Sequence, residues 1–372
     1  MSKSKSAILD DLTQIRKVDE SDMLSFCLYA YKHYEKAARL ARTFSLSCRE
    51  PQTIIAAGVG GSAIGGDLLK DWSRNRIAVP IEVCREYSLP EYANKNTLVF
   101  VVSYSGETEE SLSVFLEAIE RKCMVACISS GGKLSEFAEK LSLPLLRVPS
   151  GMPPRATLPY LFMPLVLLME KMNLAAGVSA EISETVKILK HVRDENSPDE
   201  QLKGNLSKSL ASRISGTIPF VYGFGAFRAV AQRFKTQLNE NSKVPAKWEV
   251  FPELDHNEIV GWEGAHELAA CCSVIFLRDR NEEKGMKERI EVTEELLQSV
   301  PVRTFDVWSQ GESTLARMSS LISIGDFVSV YLAVLRGIDP TPVKTIDLLK
   351  DKIKQSGLKD KIVQKLQNFV KQ

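Results

Sequence analysis

Thr53-Ile-Ile-Ala-Ala-Gly-Val-Gly-Gly-Ser-Ala-Ile-Gly-Gly-Asp67 is the stretch on which the fold turns. A short apolar run enters a glycine-rich turn, and a helix opens directly behind it. Runs of the same kind recur at Ile81 to Cys84, Leu98 to Val102 and Met124 to Ile128, separated by longer stretches of helical periodicity. That alternation is the signature of a parallel sheet covered by helices on both faces. Farther along, Thr217-Ile-Pro-Phe-Val-Tyr-Gly-Phe-Gly-Ala-Phe-Arg228 can be laid over the segment that starts at Thr53, and Ser273 to Leu277 supplies another strand. The chain therefore reads as two related α/β halves.

The flanking regions set the expected boundaries. Leu24, Leu28, Tyr31, Tyr34 and Ala38 recur at helical spacing within Ser21 to Ser45, predicting a leading helix that packs on the following domain. The polar stretch from Lys190 to Lys208 breaks the pattern and reads as an interdomain connection. The expected organisation is an N-terminal helical segment (1–45), a first domain (46–190) and a second (210–372). Near the end, the prolines of Gly337-Ile-Asp-Pro-Thr-Pro342 place a helix start close to Ile346, and Gly357 interrupts that helix.

Composition excludes several partners. The 372 residues include 48 Lys and Arg against 47 Asp and Glu, a net charge of +1. Nucleic-acid and polybasic membrane binders draw their affinity from an excess of cations, which this chain lacks. The most apolar uncharged stretch, Leu158 to Met169, is shorter than the roughly 20 residues a membrane span needs and contains Pro159 and Pro164. The N-terminus has no apolar signal region, so the expected location is cytoplasmic. Seven cysteines without a Cys-x-x-Cys pair read as free thiols, and four histidines without ligand spacing give no dedicated metal site.

Two motifs carry chemistry. Gly58-Val-Gly-Gly-Ser-Ala-Ile-Gly-Gly-Asp67 brings backbone N–H groups and a helix start to an anion. It also satisfies Gly-x-Gly-x-x-Ala with Glu82 in the next strand, so by itself it leaves a dinucleotide site and a purely structural turn open. Ser103-Tyr-Ser-Gly-Glu-Thr108 follows another strand and leads into a helix. Its three hydroxyls and Gly106 form a cradle for a phosphate monoester, whereas a plain helix cap uses one hydroxyl and leaves the others unexplained.

A Gly-Gly-Ser turn followed by Ser-x-Ser-Gly-x-Thr resembles the sugar isomerase (SIS) domain. Pro154-Arg155-Ala-Thr-Leu-Pro, Asn239-Glu240-Asn241-Ser-Lys-Val, Pro252-Glu-Leu-Asp-His256-Asn and the terminal Gly-Ile-Asp-Pro…Ile-Asp-Leu-Leu-Lys350 are similar to segments of the bifunctional phosphoglucose/phosphomannose isomerases, in that family's order. The resemblance covers about residues 50–355. It implies an α/β chain of two SIS-type domains, each a parallel sheet flanked by helices.

It also implies an aldose–ketose isomerase, an intramolecular oxidoreductase of carbohydrate metabolism acting on glucose 6-phosphate, fructose 6-phosphate and mannose 6-phosphate. Such a reaction opens the sugar ring, moves a proton between C2 and C1 and stabilises a cis-enediolate, so it needs a carboxylate base, an acid/base pair and a fixed cation. By resemblance, Glu240 moves the proton, Arg155 stabilises the enediolate, and His256 and Lys350 open the ring. Gly60, Gly61, Ser62, Ser103, Ser105 and Thr108 hold the sugar and its phosphate. No metal or redox cofactor is expected for an internal proton transfer.

The family places its histidine across a subunit interface, which implies a homodimer with His256 contributed by the neighbour. Val343 departs from a threonine that several members use in handling the two epimers. Two rival classes account for less. A non-catalytic sugar-phosphate sensor has no use for Glu240, Arg155, His256 and Lys350, and a nicotinamide oxidoreductase leaves Ser103 to Thr108 idle.

Overall fold

The computed structural model describes residues 5–264 and 266–371. Five strands, β1 (Thr53–Ala57), β2 (Ile81–Cys84), β3 (Thr97–Val102), β4 (Met124–Ser129) and β5 (Leu145–Arg147), pair in parallel in the order β2-β1-β3-β4-β5. Four more, β6 (Ile218–Gly223), β7 (Lys247–Val250), β8 (Cys272–Arg278) and β9 (Arg303–Trp308), pair in parallel in the order β7-β6-β8-β9. Strand for strand, the second sheet repeats the first four of the first. Central β3 and β8 are buried along their whole length, as a sheet covered on both faces requires.

The repeat extends to the turns. Gly60 and Gly225 each begin a short 3-10 turn in the left-handed region, with φ 57° and 48°. Gly60 therefore matches Gly225, one residue out of step with the overlay of Thr53 on Thr217.

The chain divides into two compact units, one of residues 1–31 and 181–342 and the other of 32–180 and 343–372. The C-terminal helices thus group with the first sheet, whereas chain order assigns them to the second half. The reason is an apolar stripe: Ile362 and Leu366, on the helix Leu358–Val370, enter one core with Leu112, Phe115, Leu134 and Phe137. Gly357, at φ 67°, separates that helix from Lys344–Lys354.

The leading helix divides at Tyr29 into Met23–Leu28 and Ala30–Thr43, and its front part groups with the second sheet. The stretch from Lys190 to Lys208 is a built corner of one unit and not a linker. The helix Val178–Asn196 runs into it, Asn205 caps the helix Leu206–Ile214 by accepting from the Lys208 N–H at 2.9 Å, and the unit boundary falls earlier, after Ala180. Lys208 is fully buried there because its ammonium donates to the Pro198 carbonyl at 2.9 Å and the Glu200 carbonyl at 2.5 Å. Charge in a sequence suggests solvent, but backbone acceptors replace it here.

The helix Thr314–Arg336 has the length and composition of a membrane span, yet 94% of its most apolar window is buried inside the protein. It is the core helix of the second sheet's unit.

Candidate active site

In an open parallel sheet, ligands bind beyond the carboxyl ends of the strands where the strand order reverses. In the first sheet that point lies between β1 and β3. The glycine-rich turn leaves β1 and the Ser103–Thr108 loop leaves β3, so both motifs flank it. The Tyr104 N–H donates to Ser62 Oγ at 3.2 Å, which ties the two loops together. The Ser62 hydroxyl still has its own proton to donate.

Within the loop the three hydroxyls differ. Ser103 is fully buried: its oxygen accepts from the Gly106 N–H at 3.2 Å and lies 3.1 Å from Thr108 Oγ1. A hydroxyl closed to solvent is not offered to a ligand, so Ser103 shapes the loop and orients Thr108. Ser105 is exposed and accepts from the Glu107 N–H at 3.2 Å. Thr108 stands at the N-cap of the helix Glu109–Glu120 without capping it, which leaves that helix start to a ligand.

Gly106 is required by crowding. It sits at φ 68°, and a Cβ there would lie 1.8 Å from the Gly131 carbonyl oxygen. The Tyr104 carbonyl accepts from the Ser130 N–H at 3.0 Å and its hydroxyl at 2.6 Å, and the Leu134 N–H donates to the Gly106 carbonyl at 2.9 Å. The cradle is thus backed by the neighbouring loop after β4.

Arg155 is brought to the same end of the sheet by the 3-10 turn Pro154–Thr157, and it is 3% exposed. A Cβ at Gly61 would stand 3.2 Å from the Pro154 carbonyl oxygen and 3.7 Å from Arg155 Cα. The glycine therefore admits the arginine's backbone against the glycine-rich turn.

The other candidates stand on separate elements. Glu240 is half-buried at the last position of the helix Arg228–Glu240. That helix end is fixed by its neighbours. The buried Asn241 amide donates to Ser329 Oγ at 2.8 Å, and Ser242 Oγ donates to the Ser329 carbonyl at 2.6 Å. Lys243, at φ 53°, donates its ammonium to the Glu240 carbonyl at 2.6 Å and the Pro340 carbonyl at 2.7 Å.

His256 is exposed at the end of the turn Glu253–His256. Its loop is held on either side. Asp255 accepts from Thr293 Oγ1 at 3.0 Å and Arg289 at 3.2 Å, and Leu254 is buried in the core with Phe251. Lys350 is exposed on Lys344–Lys354, a helix with no buried residue.

Sequence reading missed the supporting residues. Lys243 gives no signal because its role depends on a positive φ, and Tyr104 reads as filler between two serines, although its hydroxyl accepts from the Met152 N–H at 2.9 Å. The dinucleotide alternative loses its acid. Glu82 lies at the second position of β2, away from that strand's carboxyl end, and pairs with Lys70 at 3.2 Å.

Residues 203–353 match the family model of the bacterial phospho-glucose isomerase C-terminal SIS domain. The chain is 41% identical over 322 residues to a bifunctional phosphoglucose/phosphomannose isomerase of Caldicellulosiruptor bescii, spanning 86% of this chain and 95% of the relative. To one of Aquifex aeolicus it is 37% identical over 303 residues, 81% of this chain and 90% of the relative. Among solved structures, a hypothetical protein from Thermus thermophilus aligns with a TM-score of 0.72 at 15% identity, covering 92% of this chain and 94% of that one. A glucose-6-phosphate isomerase like protein from the same organism aligns at 0.60 and 19% identity, covering 90% and 98%. These two likenesses speak to the fold. Identity of two-fifths sustained across nearly the full length of a relative speaks to descent, and the chain belongs to the bifunctional phosphoglucose/phosphomannose isomerase family.

Proposed function

We propose that the protein interconverts glucose 6-phosphate and fructose 6-phosphate, and mannose 6-phosphate and fructose 6-phosphate, through a cis-enediolate. The observation that carries this reading is the hydroxyl cradle at the switch point, tied through Ser62 to the turn that abuts Arg155. Ser62, Ser105, Thr108 and the backbone at Gly60 and Gly61 take the phosphate and sugar, with Ser103 acting through Thr108. The Glu240 carboxylate removes the C2 proton and returns it at C1, or the reverse. Arg155 balances the charge that develops on the enediolate oxygens. His256 and Lys350 exchange the proton that opens and closes the ring. His256 is contributed across the interface of a homodimer, and the enzyme works in the cytoplasm.

The test is incubation with fructose 6-phosphate and separate coupled readouts for glucose 6-phosphate and mannose 6-phosphate, with no nicotinamide in the isomerisation step. Glu240→Gln is expected to lower kcat by about 10²–10⁴-fold, the usual worth of a general base. Near-normal turnover in that variant would sink the base assignment, and absence of both products from the wild type would sink the function. Size-exclusion of the protein, with complementation between Glu240→Gln and His256→Ala subunits, tests the shared site.

A further inference from the structure

We propose that Lys359, on the C-terminal helix Leu358–Val370, is a positioning residue for the phosphate cradle: it neutralises Glu107 so that a phosphate dianion can bind beside that carboxylate. The proposal rests on the phosphate reading of the Ser103–Thr108 loop.

Glu107 lies between Ser105 and Thr108, the two loop hydroxyls open to a ligand, and its own N–H donates to Ser105 Oγ. Glu109 and Glu110 follow at once, so three carboxylates crowd a loop meant for an anion. Like charges at such range oppose binding unless one is compensated. The Glu107 side chain is held in place. One oxygen accepts from the Lys133 N–H at 2.9 Å, at the start of the helix Gly132–Lys140, and the other ion-pairs with the Lys359 ammonium.

The Lys133 ammonium is bound to Glu136 at 2.7 Å and acts on Glu107 only from a distance, so the direct ion pair falls to Lys359. Lys359 comes from the far end of the chain, yet its helix is anchored. Ile362 and Leu366, three and seven residues on, are buried in the core with Leu112 and Phe115 of the helix that the cradle opens. The last helix thereby delivers one positive charge to the rim of the site. With side chains 30% and 41% exposed, the pair adds little to stability, so its effect belongs in ligand affinity.

The experiment measures steady-state kinetics on fructose 6-phosphate and the inhibition constant of inorganic phosphate, for the wild type, Lys359→Met, Lys359→Arg and Glu107→Gln/Lys359→Met. Lys359→Met is expected to raise both KM and the phosphate inhibition constant about 3–10-fold at low salt, with kcat within about two-fold and an unchanged thermal midpoint. Lys359→Arg restores the wild-type values. The double variant recovers most of the loss, because the glutamine amide oxygen keeps an acceptor for the Lys133 N–H without the charge. Unchanged KM and inhibition constants in Lys359→Met overturn the proposal, as does a fall in kcat and thermal midpoint at constant KM. A wild type that is neither active nor inhibited by phosphate overturns instead the reading of the cradle on which it rests.

Discussion

Alanine at Gly106 tests whether the cradle is held by steric necessity. Its Cβ would stand 1.8 Å from the Gly131 carbonyl oxygen and 2.9 Å from Ser129 Oγ. The two loops would have to part by about 1.2 Å to bring the closer contact up to 3.0 Å, the lower limit of real Cβ contacts. Such a movement breaks bonds that join the loops, the Leu134 N–H to Gly106 carbonyl at 2.9 Å and the Ser130 N–H to Tyr104 carbonyl at 3.0 Å. Two hydrogen bonds at about 0.5–1.5 kcal/mol each, with about 1 kcal/mol for an L-residue at positive φ, give a loss of about 2–4 kcal/mol. Gly60→Ala is the control. Gly60 has a similar φ of 57° but nothing within 4 Å of an added Cβ, so only the backbone cost of about 1 kcal/mol applies. Urea unfolding gives both losses, and the KM for fructose 6-phosphate reports the cradle. Gly106→Ala is expected to be the less stable by about 1–3 kcal/mol and to raise KM about ten-fold or more by displacing Ser105 and Thr108. Equal losses in the two variants would refute the steric reasoning.

Other outcomes follow from the same coordinates. Leu366→Ala removes a fully buried side chain from the first sheet's core and is expected to cost about 2–5 kcal/mol in urea unfolding; a wild-type midpoint would mean that the last helix is not docked there. Lys208→Met keeps the stem but strips the Pro198 and Glu200 carbonyls of their donor, an expected loss of about 2–4 kcal/mol that the same change at the exposed Lys203, Lys203→Met, should not reproduce. Burial holds the pKa of His33 below its usual 6.5, so the unfolded chain binds this proton more readily than the folded one. His33 thus contributes nothing well above 6.5 and an increasing penalty as pH falls from 6.5 to the folded pKa, below which the penalty is constant. The stability difference between wild type and His33→Gln should therefore change as pH falls through 6.5, and a flat difference would contradict it.

The strands that sequence reading found are those whose burial leaves an apolar run. Thr53–Ala57 and Ile81–Cys84 have the expected bounds, and β3, β4 and β8 differ by a residue at one or both ends. The missed strands β5, β7 and β9 all lie at sheet edges. One side of an edge strand is left uncovered, so Lys247-Trp-Glu-Val and Arg303-Thr-Phe-Asp-Val-Trp keep charged residues that read as loop. The site divides along a similar line. Hydroxyls around a helix start are legible because their chemistry is local. That Ser103 faces inward, or that Lys359 returns to Glu107 from the end of the chain, depends on packing between distant segments and leaves no local mark.

The duplicated topology raises the question of why only one half carries a cradle. The loop after β8 corresponds by strand order to the loop after β3, but its buried charges, Arg278, Asp279 and Glu282, are already paired. Arg278, 3% exposed in its side chain, holds Glu282 through two bonds of 2.8 Å, Glu282 also accepts from the Asp279 N–H at 2.8 Å, and Asp279 pairs with Arg317 at 3.0 Å. An incoming phosphate would have to displace a buried carboxylate from a bidentate guanidinium, whereas at Ser105 and Thr108 it displaces water. Breaking a buried pair leaves an uncompensated charge, at about 3–5 kcal/mol, which is enough to keep an anion from Arg278. On the proposed reading the two halves have divided the work. The first keeps the hydroxyls and takes the phosphate, while the second, relieved of ligand binding at its own switch point, carries Glu240 and His256. On that same reading a near-neutral chain holds an anionic substrate, because hydroxyls and helix-start N–H groups would bind the phosphate and leave Arg155 and Lys350 for the reacting end of the sugar.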